Sequence, residues 1–178
     1  MDTGTVAGGR RQTLEVPPRK TYVTRRVTDV LRDAGISGPP VSIQVVCKLF
    51  GIGLVPVASW PAGTHSAQWD PRSREIRFNR DEPETRQRFS IGHELGHALL
   101  KHTAMTFSSA ADPESWEYAE NEVEALEGEA NQFARELLMP RAWLEPALKA
   151  GMRIPELAAR YRVSQDAMGV ALSVYRLI

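Results

Sequence analysis

Residues 91 to 102 read I-G-H-E-L-G-H-A-L-L-K-H, and the meaning of this stretch decides how the rest of the chain is read. Within it, His93-Glu94-Leu95-Gly96-His97 is an H-E-x-x-H on a segment with helical character. Two histidines four residues apart stand one above the other on a helix, so both imidazoles can reach one ion. Glu94 lies about 100° round from His93, where it can address a water at that ion. The context strengthens the pattern. On a helical projection His93, Glu94 and His97 share one sector of about 100°, and Ile91, Leu95, Ala98 and Leu99 fill the opposite side. Phe89 and Leu100 flank the histidine sector, and Gly92 and Gly96 allow a neighbouring backbone to come close. A helix apolar on nearly every side is a buried one. Buried imidazoles need partners, and zinc supplies one for each.

The chain of 178 residues has 42% apolar and 25% charged residues, which is ordinary for a globular fold with one substantial core. Its formal net charge is zero, so no global field favours nucleic acid. Cys47 is the single cysteine, which excludes an internal disulfide framework; within the apolar run V-S-I-Q-V-V-C-K-L-F it reads as a buried thiol. No apolar run is long enough to span a bilayer, and the N-terminal segment lacks the apolar core of a signal peptide. A cytoplasmic protein with no membrane association is therefore expected.

Taken in order, residues 1 to 19 lack apolar periodicity and read as a mobile tail. From Thr21, Val23, Val27, Val30 and Leu31 recur at helical spacing until Gly35. Ser42 caps a second helix that runs through Phe50, with Gly51 as its stop, and G-I-G-L-V-P-V-A then turns to strand composition. Residues 66 to 69 and 75 to 79 are strand candidates joined by D-P-R-S, which predicts a hairpin. Asp81 is expected to cap the helix that carries the pentad, with Pro83 just inside it. Residues 103 to 115 read as a loop, either a lid beside the site or a plain surface connection.

The acidic segment from Glu117 to Met139 offers the third ligand. Val123, Leu126, Ala130, Phe133, Ala134, Leu137 and Leu138 form one stripe about 140° wide. Glu127 falls inside that stripe, about 40° from Val123, whereas Glu122, Glu124, Glu129 and Glu136 project outside it onto a solvated face. A carboxylate turned to a core needs a positive partner. Glu120, at the stripe's edge, is the rival, and Glu129 comes third. Asn131, four residues after Glu127, is placed to orient the Glu or a ligand histidine. His102 projects about 180° from His93 and so reads as packing or capping; the three-histidine pattern would need His at position 103, which is Thr. His65 sits in a loop and reads as a plain loop histidine.

The combination R-F-S-I-G-H-E-L-G-H-A-L-L-K-H (88 to 102) and E-G-E-A-N-Q-F-A-R-E-L-L-M-P (127 to 140) resembles the ImmA/IrrE family of bacterial metallopeptidases. Residues 51 to 57 and 75 to 79 are also similar to that family, so the likeness covers roughly residues 41 to 140. It implies a zincin-like fold with His93, His97 and Glu127 as Zn2+ ligands and Glu94 as general base. It further implies proteolysis of helix-turn-helix transcriptional repressors in phage, mobile-element or stress-response switches. An oxyanion donor beyond the metal would come from Tyr118, Tyr161 or His65.

Residues 154 to 177 resemble a helix-turn-helix, with Val163-Ser164 as the turn and Ser164 capping the second helix. That second helix has no Lys or Arg from Gln165 to Tyr175 and carries Asp166 near its start, a poor surface for phosphates. DNA binding is therefore not expected. The predicted fold is α+β and mainly helical, with a small antiparallel sheet and C-terminal helices. The tail spans 1–19, the metallopeptidase domain 20–140 and the helical extension 141–178. Two functions fit: a zinc endopeptidase acting on a repressor, or a non-catalytic zinc-containing regulator that binds protein or DNA. An intact Glu94 favours the enzyme, because a structural site has no need of a base.

Overall fold

Two helices meeting at a glycine set the geometry of the molecule. The computed structural model describes residues 19–60, 66–102 and 116–178, with side chains from residue 123 onward in the last segment. Helix α3 (Glu84–Leu99) carries the H-E-x-x-H, and α4 (Trp116–Leu138) carries the acidic segment; they form the most extensive pairing of elements. Their backbones come so close because Gly96 faces α4: a Cβ there would lie 2.9 Å from Ala130 Cα and 3.2 Å from Phe133 Cβ. On α4 the expected stripe is buried from Ala130 through Phe133, Ala134, Leu137 and Leu138. Burying each large member stabilises the fold by about 1.5–3 kcal/mol relative to exposure.

Helix α1 (Lys20–Asp33) lies on α4 and buries Val23, Val27, Val30 and Leu31, the residues that the sequence periodicity selects. It ends at Gly35, whose φ of +65° costs a glycine no Cβ clash. Helix α2 (Ile43–Leu49) starts as expected, with Ser42 Oγ accepting from Val45 N at 3.4 Å. Cys47 is 2% exposed on its inner face, and burial pushes its thiol up to about 12, as suits an inert core residue.

The sheet contains β1 (Gly53–Val57), β2 (Ala67–Asp70) and β3 (Glu75–Asn79) in the order β1-β3-β2. The hairpin is present: β2 and β3 pair antiparallel, and Asp70 closes the turn by accepting from Arg72 N at 2.8 Å and Ser73 Oγ at 3.0 Å. The sheet is not wholly antiparallel, however. The tight hairpin occupies one side of β3 and leaves the other side open, and β1 joins it there in parallel. β1 is an edge strand, which is where Pro56 is tolerated, because the missing N–H need not face a neighbour.

The start of α3 differs from expectation. Pro83, extended at φ −54° and ψ 142°, occupies the N-cap position, and no side chain caps the helix. Asp81 is two residues too early, and its Oδ2 instead accepts from Ser59 N at 3.1 Å.

Beyond Pro140 come α5 (Arg141–Lys149), α6 (Ile154–Tyr161) and α7 (Gln165–Val174), with Ser164 Oγ accepting from Ala167 N at 3.1 Å. These helices share the core. The buried Arg88 of α3 donates to Arg162 O at 3.0 Å and Val41 O at 2.9 Å, tying the α6–α7 turn to the α1–α2 connection. Tyr175 Oη donates to Met139 O at 3.1 Å. No helix among the described residues is long and apolar enough to cross a membrane.

Candidate metal centre

Helical spacing alone stacks the first two groups. One turn apart on α3, His93 and His97 turn their Nε2 atoms toward each other at 3.0 Å. The close crossing at Gly96 then brings in Glu127 from α4, with Oε2 3.1 Å from His93 Nε2 and Oε1 3.3 Å from His97 Nε2. These three residues offer ligand atoms within 4.8 Å of one another. Asn131 lies one turn on from Glu127, and His93 Nδ1–H donates to Asn131 Oδ1 at 3.0 Å, which leaves Nε2 with its lone pair outward.

The chemistry of this donor set suits a cation. Two ring nitrogens and two carboxylate oxygens converge on one small space, and electron pairs so crowded need a proton or a metal between them. The pKa directions express the same demand. With ring protons in place of a metal, His93 and His97 would donate to Glu127, which holds its carboxyl well below the usual carboxylate range. Burial alone would lower His93, yet its bonds to Glu127 and Asn131 leave it raised. Two imidazoles and a carboxylate are a common zinc set.

Glu94 stands at the rim of this cluster. Its Oε2 accepts from Trp69 N on β2 at 2.8 Å, so the hairpin fixes the direction of the carboxylate. Burial pushes Glu94 above its ordinary pKa, while His93, His97 and the Trp69 N–H pull part of the way back.

Two expectations about carboxylates are reversed. Glu127 was expected to face the core, but its side chain is 44% exposed; what it faces is the histidine pair. Glu129, expected on the solvated face, is 2% exposed. It accepts from Arg19 N at 2.7 Å, Arg19 Nε at 3.0 Å and Arg19 Nη2 at 2.7 Å. Burial works to raise Glu129, and the bonds from Arg19 and His102 outweigh it, holding the carboxyl at about 2. The mobile-tail expectation thus fails at Arg19, while residues 1–18 lie outside the described residues.

His102 is more than packing. The projection of about 180° assumed an unbroken helix, but α3 ends at Leu99 and Lys101 turns into the left-handed region at φ +57°. His102 N then donates back to His97 O at 3.0 Å, and the His102 ring arrives beside the His97 ring with Nδ1 to Nδ1 at 3.1 Å. Its other nitrogen, Nε2, meets Glu129 Oε2 at 3.1 Å. A lysine rather than a glycine at the turn hid this from the sequence. Tyr161 is 1% exposed in the core, which removes it as an oxyanion donor. His65, the loop expected over residues 103–115 and the side chains of Tyr118 and Glu120 lie outside the described residues.

The family described as IrrE N-terminal-like domain, peptidase M78, matches residues 47–173. The radiation response metalloprotease IrrE of Deinococcus radiodurans is 31% identical over 127 residues, covering 69% of this chain and 38% of that protein. Its namesake in Deinococcus deserti is 30% identical over 129 residues, covering 70% of this chain and 45% of the relative. A Mycobacterium tuberculosis transcriptional regulator shares the fold, with a TM-score of 0.61 at 19% identity over 83% of this chain and 45% of that one. The chain spans less than half the length of each of these relatives. With the family match running from α2 through most of α7 and two relatives at about a third identity, this chain belongs to the IrrE N-terminal-like family of metallopeptidases.

Proposed function

We propose that the chain is a zinc-dependent endopeptidase that cuts a regulatory protein, with His93, His97 and Glu127 as metal ligands and Glu94 as general base. The observation that carries this reading is the convergence of His93 Nε2, His97 Nε2 and the Glu127 carboxylate, with Glu94 anchored beside them by Trp69 N. When bound, the metal supplies a Lewis acid and lowers the pKa of water toward about 7. Glu94 keeps Oε2 on the Trp69 N–H and uses Oε1 to take the proton of the attacking water. It then returns that proton to the leaving amine nitrogen, which prevents the amine from re-forming the peptide bond. Asn131 holds the His93 ring with Nε2 forward throughout.

For the substrate we propose a helix-turn-helix repressor, cut in a linker or exposed helix end where the backbone can open into an extended segment. The family membership and the naming of a relative as a radiation response metalloprotease support a regulatory target over a digestive one. Mixing the purified zinc-loaded chain with a helix-turn-helix repressor it targets should give a few discrete fragments. Glu94→Gln should keep zinc and lose cleavage, and His93→Ala, His97→Ala and Glu127→Ala should each lose zinc. A zinc-loaded chain that cuts no candidate repressor would move the reading to a non-catalytic regulator, and rapid general digestion of casein would count against a dedicated one.

A further inference from the structure

We infer that His102 and Glu129 are positioning residues: with Arg19 they form a directed hydrogen-bond chain that fixes the tautomer of His97 and turns its Nε2 lone pair to the metal position. The inference rests on the proposed ligand role of His97 and adds to it a reason why that ring presents the correct nitrogen.

The direction of the chain follows from what each atom can donate. The guanidinium and backbone N–H of Arg19 can only donate, and three such groups meet Glu129, the backbone N at 2.7 Å, Nε at 3.0 Å and Nη2 at 2.7 Å. Glu129 so held is ionised and accepts only, which requires the contact at 3.1 Å to be a donation from His102 Nε2–H. A neutral His102 with its proton on Nε2 has a lone pair on Nδ1. That lone pair faces His97 Nδ1 at 3.1 Å, and a hydrogen bond there requires His97 to carry its proton on Nδ1. Nε2 of His97 is then left bare beside Glu127 and His93 Nε2.

Water alone would not select this form, because free neutral imidazole side chains favour the proton on Nε2, the tautomer that cannot bind a metal through that atom. His93 has its own solution in Asn131 Oδ1. The two ligand histidines are thus oriented by separate devices, an amide for one and a histidine–carboxylate–guanidinium chain for the other. The chain is shielded where it matters: the side chains of His102 and Glu129 are each 3% exposed, and only Arg19, at 51%, touches solvent widely. Such partners behind a metal ligand typically change metal affinity by about 10- to 100-fold.

The test uses the full chain, 15N-labelled and metal-free, above the titration range of histidine. Long-range proton–nitrogen spectra report which ring nitrogen carries the proton, and single-histidine replacements assign the signals. His97 should show a protonated Nδ1 and a bare Nε2, and His102 the reverse. His102→Leu should release His97 to the Nε2–H form and weaken zinc binding, measured against a chromophoric chelator, by about 10- to 100-fold. His102→Gln, whose Oε1 accepts and Nε2 donates, should restore the tautomer and bring affinity back to within a few-fold. A wild-type His97 protonated on Nε2 would overturn the inference, as would a folded His102→Leu chain with unchanged tautomer and affinity. If the leucine variant fails to fold, the wild-type spectrum and the Gln variant still decide. A chain with the expected tautomers that takes up no zinc would instead sink the metallopeptidase reading and leave the hydrogen-bond chain standing.

Discussion

Glu129 carries a pH signature of its own. Its carboxyl is held at about 2 in the folded chain against an ordinary 4.5, a difference of roughly 3 kcal/mol shared among its partners. Because the folded value is the lower one, this stabilisation is whole above the unfolded pKa and is lost as pH falls from 4.5 toward 2. Urea titrations should therefore show Glu129→Gln well below the wild type at neutral pH, with the gap narrowing through that window. A gap that stays constant as the pH falls would mean that the bonds to Arg19 and His102 contribute nothing through charge. The same residue marks the limit of sequence reading. Projection onto a helix singled out Glu127 in a glutamate-rich segment as a carboxylate turned to the core, whereas its side chain faces the histidine pair and is 44% exposed. It assumed that the neighbouring face of α4 met water, and Arg19 and His102, distant in sequence, cover that face instead.

Among elements, the α3–α4 crossing was the most legible and is the most fragile. Two glycines spaced four apart on α3 predicted a close approach, but the sequence could not rank them. Gly96 is the contact point, with Ala130 Cα at 2.9 Å from a built Cβ, whereas the same test at Gly92 finds Ala134 Cβ at 3.4 Å, an ordinary contact. Gly96→Ala must push α4 away, at a cost of about 1–3 kcal/mol. It should also withdraw Glu127 from the histidines and weaken zinc binding. Gly92→Ala should be neutral or stabilising by up to about 1 kcal/mol, since alanine is the better helix former. Denaturation midpoints and chelator competition on the two variants check this, and equal losses would show that the crossing is not set at Gly96. Helix interiors were readable because periodicity reports burial. Helix ends were readable where a capping serine or a glycine stop marks them, as at Ser42, Ser164 and Gly35, and unreadable at the Pro83 start and the Lys101 turn, where no such residue stands.

For the whole molecule, the C-terminal helices raise the question of DNA, and the charges weigh against it. α6 and α7 have the order and turn of a helix-turn-helix, with Arg162 in the left-handed region and Ser164 as cap. Yet α7 bears no basic residue from Gln165 to Val174, and its exposed positions are Gln165, Asp166, Val170, Ser173 and Val174. Of the nearby arginines, Arg162 pairs with Glu84 and Arg160 donates to Met152 Sδ at 3.6 Å. A net charge of zero supplies no long-range attraction to make up for this. Specific DNA binding needs several phosphate contacts, each of which steepens the fall of affinity with salt. The same turn has a different task, since Arg88 fastens it to the helix that carries His93 and His97. The full chain should therefore leave the repressor's operator duplex unretarded at physiological salt. Arg88→Leu should lower the denaturation midpoint by taking the donor from the buried carbonyl of Val41 and the part-buried one of Arg162. A sequence-selective shift that weakens steeply with salt would show that residues outside α7 supply the missing positive surface, and would return DNA binding to the functions of this chain.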